Sequence, residues 1–189
     1  MWNNIKIENL LYLVIDMQDK FYPLIPSNVL KQARKNVLTT IQMFGDLKIP
    51  MIGTEHYVKG LGHTDNEICK IWKGDAFTDK VTFSCFKNLD FKDNLKKYGR
   101  KIVVVSGLET HICVLQTVID LLSDNYHVIV LKDACVSSTK LKWENGLALM
   151  EKAGAYVMST ETLLFYLLQR VDRSEFKTLV KLLKDAQNF

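Results

Sequence analysis

No two cysteines in this chain are spaced to share a metal or to form a redox pair. There are four, Cys69, Cys85, Cys113 and Cys135, without a Cys-x-x-Cys and without finger-type His partners. That excludes a zinc module or a disulfide scaffold and points to free thiols in a reducing, cytoplasmic compartment. Glycine is also sparse. No Gly-x-Gly-x-x-Gly follows the first apolar run and no Walker loop occurs, which argues against dinucleotide and P-loop nucleotide sites. Long apolar runs are missing too, and no cationic, small-residue leader opens the sequence, so no membrane role is expected. Charge of one sign is lacking as well: 25 basic and 21 acidic residues leave a net +4. The densest basic group, Lys96, Lys97, Arg100 and Lys101, is small and has no interleaved aromatics. It reads as a solvated face, and no nucleic-acid partner is expected.

What remains is ordinary globular material, 48% apolar and 24% charged over 189 residues. Such a chain builds one core, and residues 1–189 are expected to form a single domain. There is no repeat, low-complexity tract or linker. Leu10–Ile15, Ile102–Val105 and Val128–Leu131 are continuous β-branched or aliphatic runs, as in strands buried on both faces of a parallel sheet. Shorter strands are expected at 49–52, 80–83 and 155–158. Helical periodicity runs from Ser27, read as an N-cap, to about Phe44, with Gly45 as terminator. It returns at 90–98, from Ile112 onward, at 141–152, 160–168 and 173–185. Gly107 is expected to break the strand before Ile112, and residues 58–79 read as a long surface loop with one helical turn. Strands alternating with helices imply right-handed βαβ units, a mainly parallel sheet and helices on both faces.

Ligands of such folds bind at the carboxyl ends of strands, beside helix N-termini. Cys113 lies where a central strand gives way to a helix, and a helix N-terminus favours thiolate over thiol. It is therefore the leading nucleophile, although cysteine is also a common small core filler. Asp16 closes the first strand, either as a turn residue or as a site carboxylate. Lys80 taken alone is a solvated charge. Cys135, also near a strand end, is the rival thiol, while Cys85 and Cys69 read as packing residues.

Asp16 in Val-Ile-Asp-Met-Gln, Lys80 before Val-Thr-Phe-Ser, and Cys113 in Gly-Leu-Glu-Thr-His-Ile-Cys-Val together resemble the Asp–Lys–Cys triad of the isochorismatase-like cysteine hydrolases. Gly53-Thr-Glu-His-Tyr, Phe83-Ser-Cys-Phe, Asp133-Ala-Cys-Val-Ser-Ser and Ser159-Thr-Glu-Thr are similar to the small isochorismatase-domain branch of unassigned substrate. The likeness extends from about Leu11 to Gln169. It implies a three-layer, Rossmann-like α/β fold with six strands in the order 3-2-1-4-5-6, so that Asp16 and Cys113 face each other at the topological switch point. It also implies a cis peptide between Leu108 and Glu109, with the N–H groups of Glu109 and Cys113 aimed at an oxyanion. The chemistry it implies is cleavage of a small-molecule amide, imide or ester through a thioester on Cys113. Asp16 would then be the base and Lys80 the electrostatic partner. No cofactor is implied, and a homo-oligomer is. Gln18, Tyr57 and Gln116 have two readings, as substrate contacts or as structure. The Asp-x-His metal motif of nicotinamidases is replaced here by Thr54-Glu-His-Tyr-Val. Glu55, His56 and His63 are the donors left for a metal, and a metal-independent site is expected. The alternative function is a non-catalytic oligomeric module assembling through Phe176, Leu179, Leu182 and Leu183 of the last helix.

Overall fold

The structure, a computed structural model, describes residues 4–187. Six strands, β1 (Leu10–Ile15), β2 (Met51–His56), β3 (Thr78–Lys80), β4 (Ile102–Leu108), β5 (His127–Val136) and β6 (Tyr156–Met158), form one sheet ordered β3-β2-β1-β4-β5-β6. Every pairing is parallel. Among the described residues eight α-helices connect or follow the strands: α1 (Ser27–Asp46), α2 (Val58–Leu61), α3 (Asn66–Ile71), α4 (Leu89–Lys97), α5 (Leu115–Ser123), α6 (Lys140–Lys152), α7 (Thr160–Leu168) and α8 (Ser174–Gln187).

The layering follows from strand alternation. Leu10, Tyr12 and Val14 face a core closed by Val37, Ile41 and Phe44 of α1 and by Leu163, Leu164 and Leu167 of α7. Leu11, Leu13 and Ile15 face the opposite core, with Phe91 and Leu95 of α4, Val118 and Leu121 of α5, and Met150 of α6. All six residues of β1 are buried, which is why the run shows no polar alternation.

Several boundaries differ from the sequence reading. Gly107 does not end β4. The strand continues to Leu108, with a register shift against β5 between Val105 and Gly107. Gly107 has φ +131°, and a Cβ there would lie 2.1 Å from the Ile15 carbonyl oxygen, so glycine serves close strand contact rather than chain breaking. Lys80 is the last residue of β3, not the first of a strand over 80–83; Val81–Ser84 turn away as bends. Gly45 lies inside α1, and the turn that follows is taken by Lys48 at φ 56°. Ser27 is the first residue of α1 and makes no side-chain cap. Residues 58–79 are more ordered than a loop, carrying α2, α3 and a bridge between Gln18 and Thr64.

The last helix turns part of its apolar face inward. Leu179 is fully buried, and Phe176, Leu182 and Leu183 pack on the core that α1 and α7 close. Those three side chains remain partly exposed at the edge of that core. Among the described residues no helix is long and apolar enough to cross a membrane.

Substituting Gly107→Ala should destabilise the protein by more than about 2 kcal/mol, because alanine meets both an unfavourable φ and the β1 backbone. Chemical denaturation would measure this, and a loss under half that figure would contradict the close contact.

Candidate active site

At the carboxyl edge of the sheet, four neighbouring strands deliver their polar residues to one place. Asp16 follows β1 directly and adopts φ 54°, a left-handed conformation that aspartate tolerates better than most residues. Its N–H donates to the Thr54 carbonyl on β2 at 3.1 Å, extending the ladder by one bond. Its carboxylate is held at both oxygens. Thr54 Oγ1 donates to Oδ1 at 2.7 Å, and Lys80 Nζ donates to Oδ2 at 2.7 Å. Neither charged side chain has any exposed surface.

Lys80 reaches this point because β3 pairs with β2 so that Lys80 lies opposite His56. Its Nζ also donates to the Thr82 and Phe83 carbonyls, both at 3.2 Å, and lies 3.4 Å from His56 Nδ1. The bends after β3 therefore fold around the ammonium. Burial works against that charge, but the Asp16 carboxylate and then the Cys85 and Cys113 sulfurs outweigh it, so Lys80 titrates above its ordinary range. The His56 imidazole is pushed the other way, by burial first and then by Lys80, so it is neutral near pH 7. With Nδ1 facing an ammonium, the ring proton is assigned to Nε2. The ring stacks on Phe83 at 5.7 Å between centroids, and Phe83 is itself 53% exposed.

Cys113 sits in a π-helical turn, Thr110–Val114, between β4 and α5, after a cis peptide at Leu108–Glu109. It is 5% exposed. One donor atom from each of Asp16, His56 and Cys113 lies within 4.8 Å of the others. The strand end, the ammonium and the thiol therefore meet. The thiol's protonation differs from the expectation raised by the helix N-terminus. Burial, then the Asp16 charge and its hydrogen bond, push the Cys113 thiol up, and Lys80 only partly opposes them. Burial and the neighbouring carboxylate thus set the direction, toward the thiol rather than the thiolate.

The remaining residues sort by their contacts. Cys85, buried, lies 3.5 Å from Thr54 Oγ1, and burial raises its thiol to about 11. Its N–H donates to Thr117 Oγ1 at 3.0 Å, and that hydroxyl donates to the Cys113 carbonyl at 2.6 Å, so it supports the Cys113 turn from behind. Cys135 is buried within β5 with its sulfur toward the Val105 carbonyl at 3.8 Å, inside the core. Gln18 is fully buried and hydrogen-bonded within the fold. Its Nε2 donates to the carbonyls of His56 and Gly62 at 3.1 and 2.6 Å, and its Oε1 accepts the His56 N–H at 2.7 Å. The buried amide is spent on clasping the His56 backbone. Tyr57 stands half exposed at the rim with φ 46°, and Gln116 is exposed on α5. Glu109 Oε2 accepts the Ser138 N–H at 3.0 Å.

The donor set Glu55, His56 and His63 does not assemble. Adjacent strand residues point to opposite faces, so Glu55 turns away from His56. It accepts the Thr64 N–H at 2.6 Å and meets His63 Nδ1 at 3.1 Å. Asp16, His56 and Cys113 do converge, but the Lys80 ammonium touches the first two and fills the place of a cation. Sequence reading missed Thr54 as the second anchor of Asp16 and placed His56 only among metal donors. Their i, i+2 spacing on β2 was the available signal for a shared face.

The isochorismatase domain profile matches residues 11–162. "Isochorismatase family protein 1A" of Dictyostelium discoideum is 33% identical over 154 residues, 79% of this chain and 74% of that protein. "Isochorismatase domain-containing protein 2B" of Mus musculus is 34% identical over 182 residues, covering 94% and 82%. Among solved structures, a MAR1 ribonuclease from Caenorhabditis elegans superposes with TM-score 0.85 at 32% identity, covering 95% of this chain and 91% of that one. A six-stranded parallel sheet in this order, flanked by helices, is the isochorismatase-like hydrolase architecture. The chain belongs to the isochorismatase family of hydrolases.

Two outcomes follow from the buried charges. Lys80→Met strands a buried carboxylate and should cost about 3 kcal/mol or more, with the Asp16→Asn/Lys80→Met double variant recovering much of the loss in thermal unfolding. Asp16→Asn alone strands the buried Lys80 ammonium instead and should likewise cost about 3 kcal/mol or more in the same thermal unfolding measurement. A loss under about 1 kcal/mol would contradict the dependence of each charge on the other.

Proposed function

We propose that this protein is a cysteine-dependent hydrolase that cleaves a small amide, imide or ester through a thioester on Cys113. The observation carrying the reading is the fully buried Lys80–Asp16 pair, 2.7 Å apart, with the Cys113 sulfur within 4.8 Å of the carboxylate. Asp16 takes the thiol proton as the sulfur attacks the carbonyl carbon. Lys80 keeps Asp16 oriented and compensates the negative charge that passes between carboxylate and sulfur. The backbone N–H groups of Glu109 and Cys113, on either side of the turn after β4, are the oxyanion donors. The leaving group departs, water attacks the thioester, and the thiol is regenerated. Residues 1–189 act as one catalytic domain in this scheme, in a cytoplasm that keeps Cys69, Cys85, Cys113 and Cys135 free.

The nematode relative is called a ribonuclease, which makes RNA the rival substrate. Two features favour a carbonyl. A thiol is suited to acyl carbon, whereas cleavage at phosphorus is driven by positioning cations and imidazoles around the phosphate. Cys113 also offers only 5% of its surface, an approach for a small molecule rather than for a polymer backbone.

A panel of amides, imides, esters and RNA oligonucleotides separates these readings. Wild-type protein should hydrolyse a carbonyl substrate, Cys113→Ala should lose about a thousandfold or more, and acid quenching should trap an acyl group on Cys113. RNA cleavage without any carbonyl hydrolysis would refute the proposal.

A further inference from the structure

His56 is the best-positioned residue that the triad leaves without a task. Both of its backbone groups are clasped by the buried Gln18 amide, at 2.7 and 3.1 Å. Its ring is stacked on Phe83, and its Nδ1 faces Lys80 Nζ at 3.4 Å. One ring nitrogen is within 4.8 Å of both the Asp16 carboxylate and the Cys113 sulfur. A strand-end histidine pinned on three sides, half-buried and beside the reacting thiol, is more constrained than a rim residue needs to be.

We propose that His56 is a catalytic residue that protonates the leaving group, fed by a relay Cys113–Asp16–Lys80–His56. This rests on Cys113 being the nucleophile. As the tetrahedral adduct collapses, the bond between carbonyl carbon and leaving nitrogen breaks and its electron pair stays on nitrogen. That nitrogen takes the His56 Nε2 proton. In concert, Nδ1 takes a proton from Lys80, and Lys80 takes from Asp16 the proton that Cys113 released on attack. The thiol proton is thereby delivered to the amine, Asp16 and Lys80 return to carboxylate and ammonium, and His56 is left neutral with its proton on Nδ1. Deacylation runs the relay backwards: as water attacks the thioester carbon, Nε2 takes a water proton, Nδ1 gives its proton to Lys80, Lys80 gives one to Asp16, and Asp16 protonates the departing Cys113 sulfur, which restores the resting tautomer. The neutral tautomer with hydrogen on Nε2, held by the ammonium on Nδ1, is the form that leaving-group protonation requires. Burial and Lys80 both favour it by lowering the imidazole's titration range.

Such a donor matters for a poor leaving group and little for a good one. The probes are 4-nitroacetanilide and 4-nitrophenyl acetate, with acetylation of Cys113 read by mass spectrometry in single-turnover experiments. His56→Ala should slow acetylation by the anilide about a hundredfold or more, and by the ester less than about tenfold. His56→Gln, which retains an N–H donor but cannot relay a proton, should not recover the anilide reaction. Unchanged thermal unfolding of both variants guards against a folding artefact. Equal losses on the two probes, or wild-type acetylation by the ester alone, would overturn the role of His56 while leaving Cys113 as nucleophile. Wild-type protein acetylated by neither probe would overturn both.

Discussion

An ammonium and a carboxylate deprived of water set the terms for this molecule. Neither Lys80 nor Asp16 has exposed side-chain surface, so each depends on the other and on fixed polar neighbours. Desolvating such a pair costs several kcal/mol per ion, and contact at 2.7 Å offsets that only when the remaining valences are also filled. Here Thr54 holds the second Asp16 oxygen, and the Thr82 and Phe83 carbonyls and His56 Nδ1 share the remaining Lys80 protons. A family hydrolase keeps a costly arrangement where an apolar packing would serve stability as well. In the proposed mechanism the pair moves a proton at this water-poor strand end.

The sheet topology makes the device attainable. Order β3-β2-β1-β4 puts strands from both halves of the chain side by side, so residues near positions 16, 56, 80 and 113 converge although they are far apart in sequence. The parallel arrangement brings all their carboxyl ends to one edge. Close approach of β1 to β4 is permitted by Gly107, whose missing side chain leaves room for the Ile15 carbonyl. The backbone at Asp16 then turns left-handed and directs the carboxylate into the gap rather than along the strand.

Much of this is legible from residue pattern alone. Continuous apolar runs such as Leu10–Ile15 are enough to identify central parallel strands, and Thr160–Leu168 is a helix with the bounds its periodicity indicates. Other features are not legible, for identifiable reasons. Gly107 reads as a breaker because the carbonyl it accommodates belongs to a strand nearly a hundred residues away. Gln18 looks like a binding amide because its three partners, all on the β2 side of the fold, are invisible locally. Helix position alone suggests that the Cys113 thiol ionises readily, but desolvation depends on what packs around it, and burial wins. The leucines of α8 look available because amphipathicity shows that a face will be covered, not by what.

One consequence lies in the bends after β3. The Thr82 and Phe83 carbonyls are not incidental lining; each holds the Lys80 ammonium at 3.2 Å. Swinging that segment outward would strip two acceptors from a charge with no solvent to replace them. Residues 81–84 consequently behave as a fixed jamb rather than a hinged door, and any admission of a bulky guest has to come from motion elsewhere around the mouth.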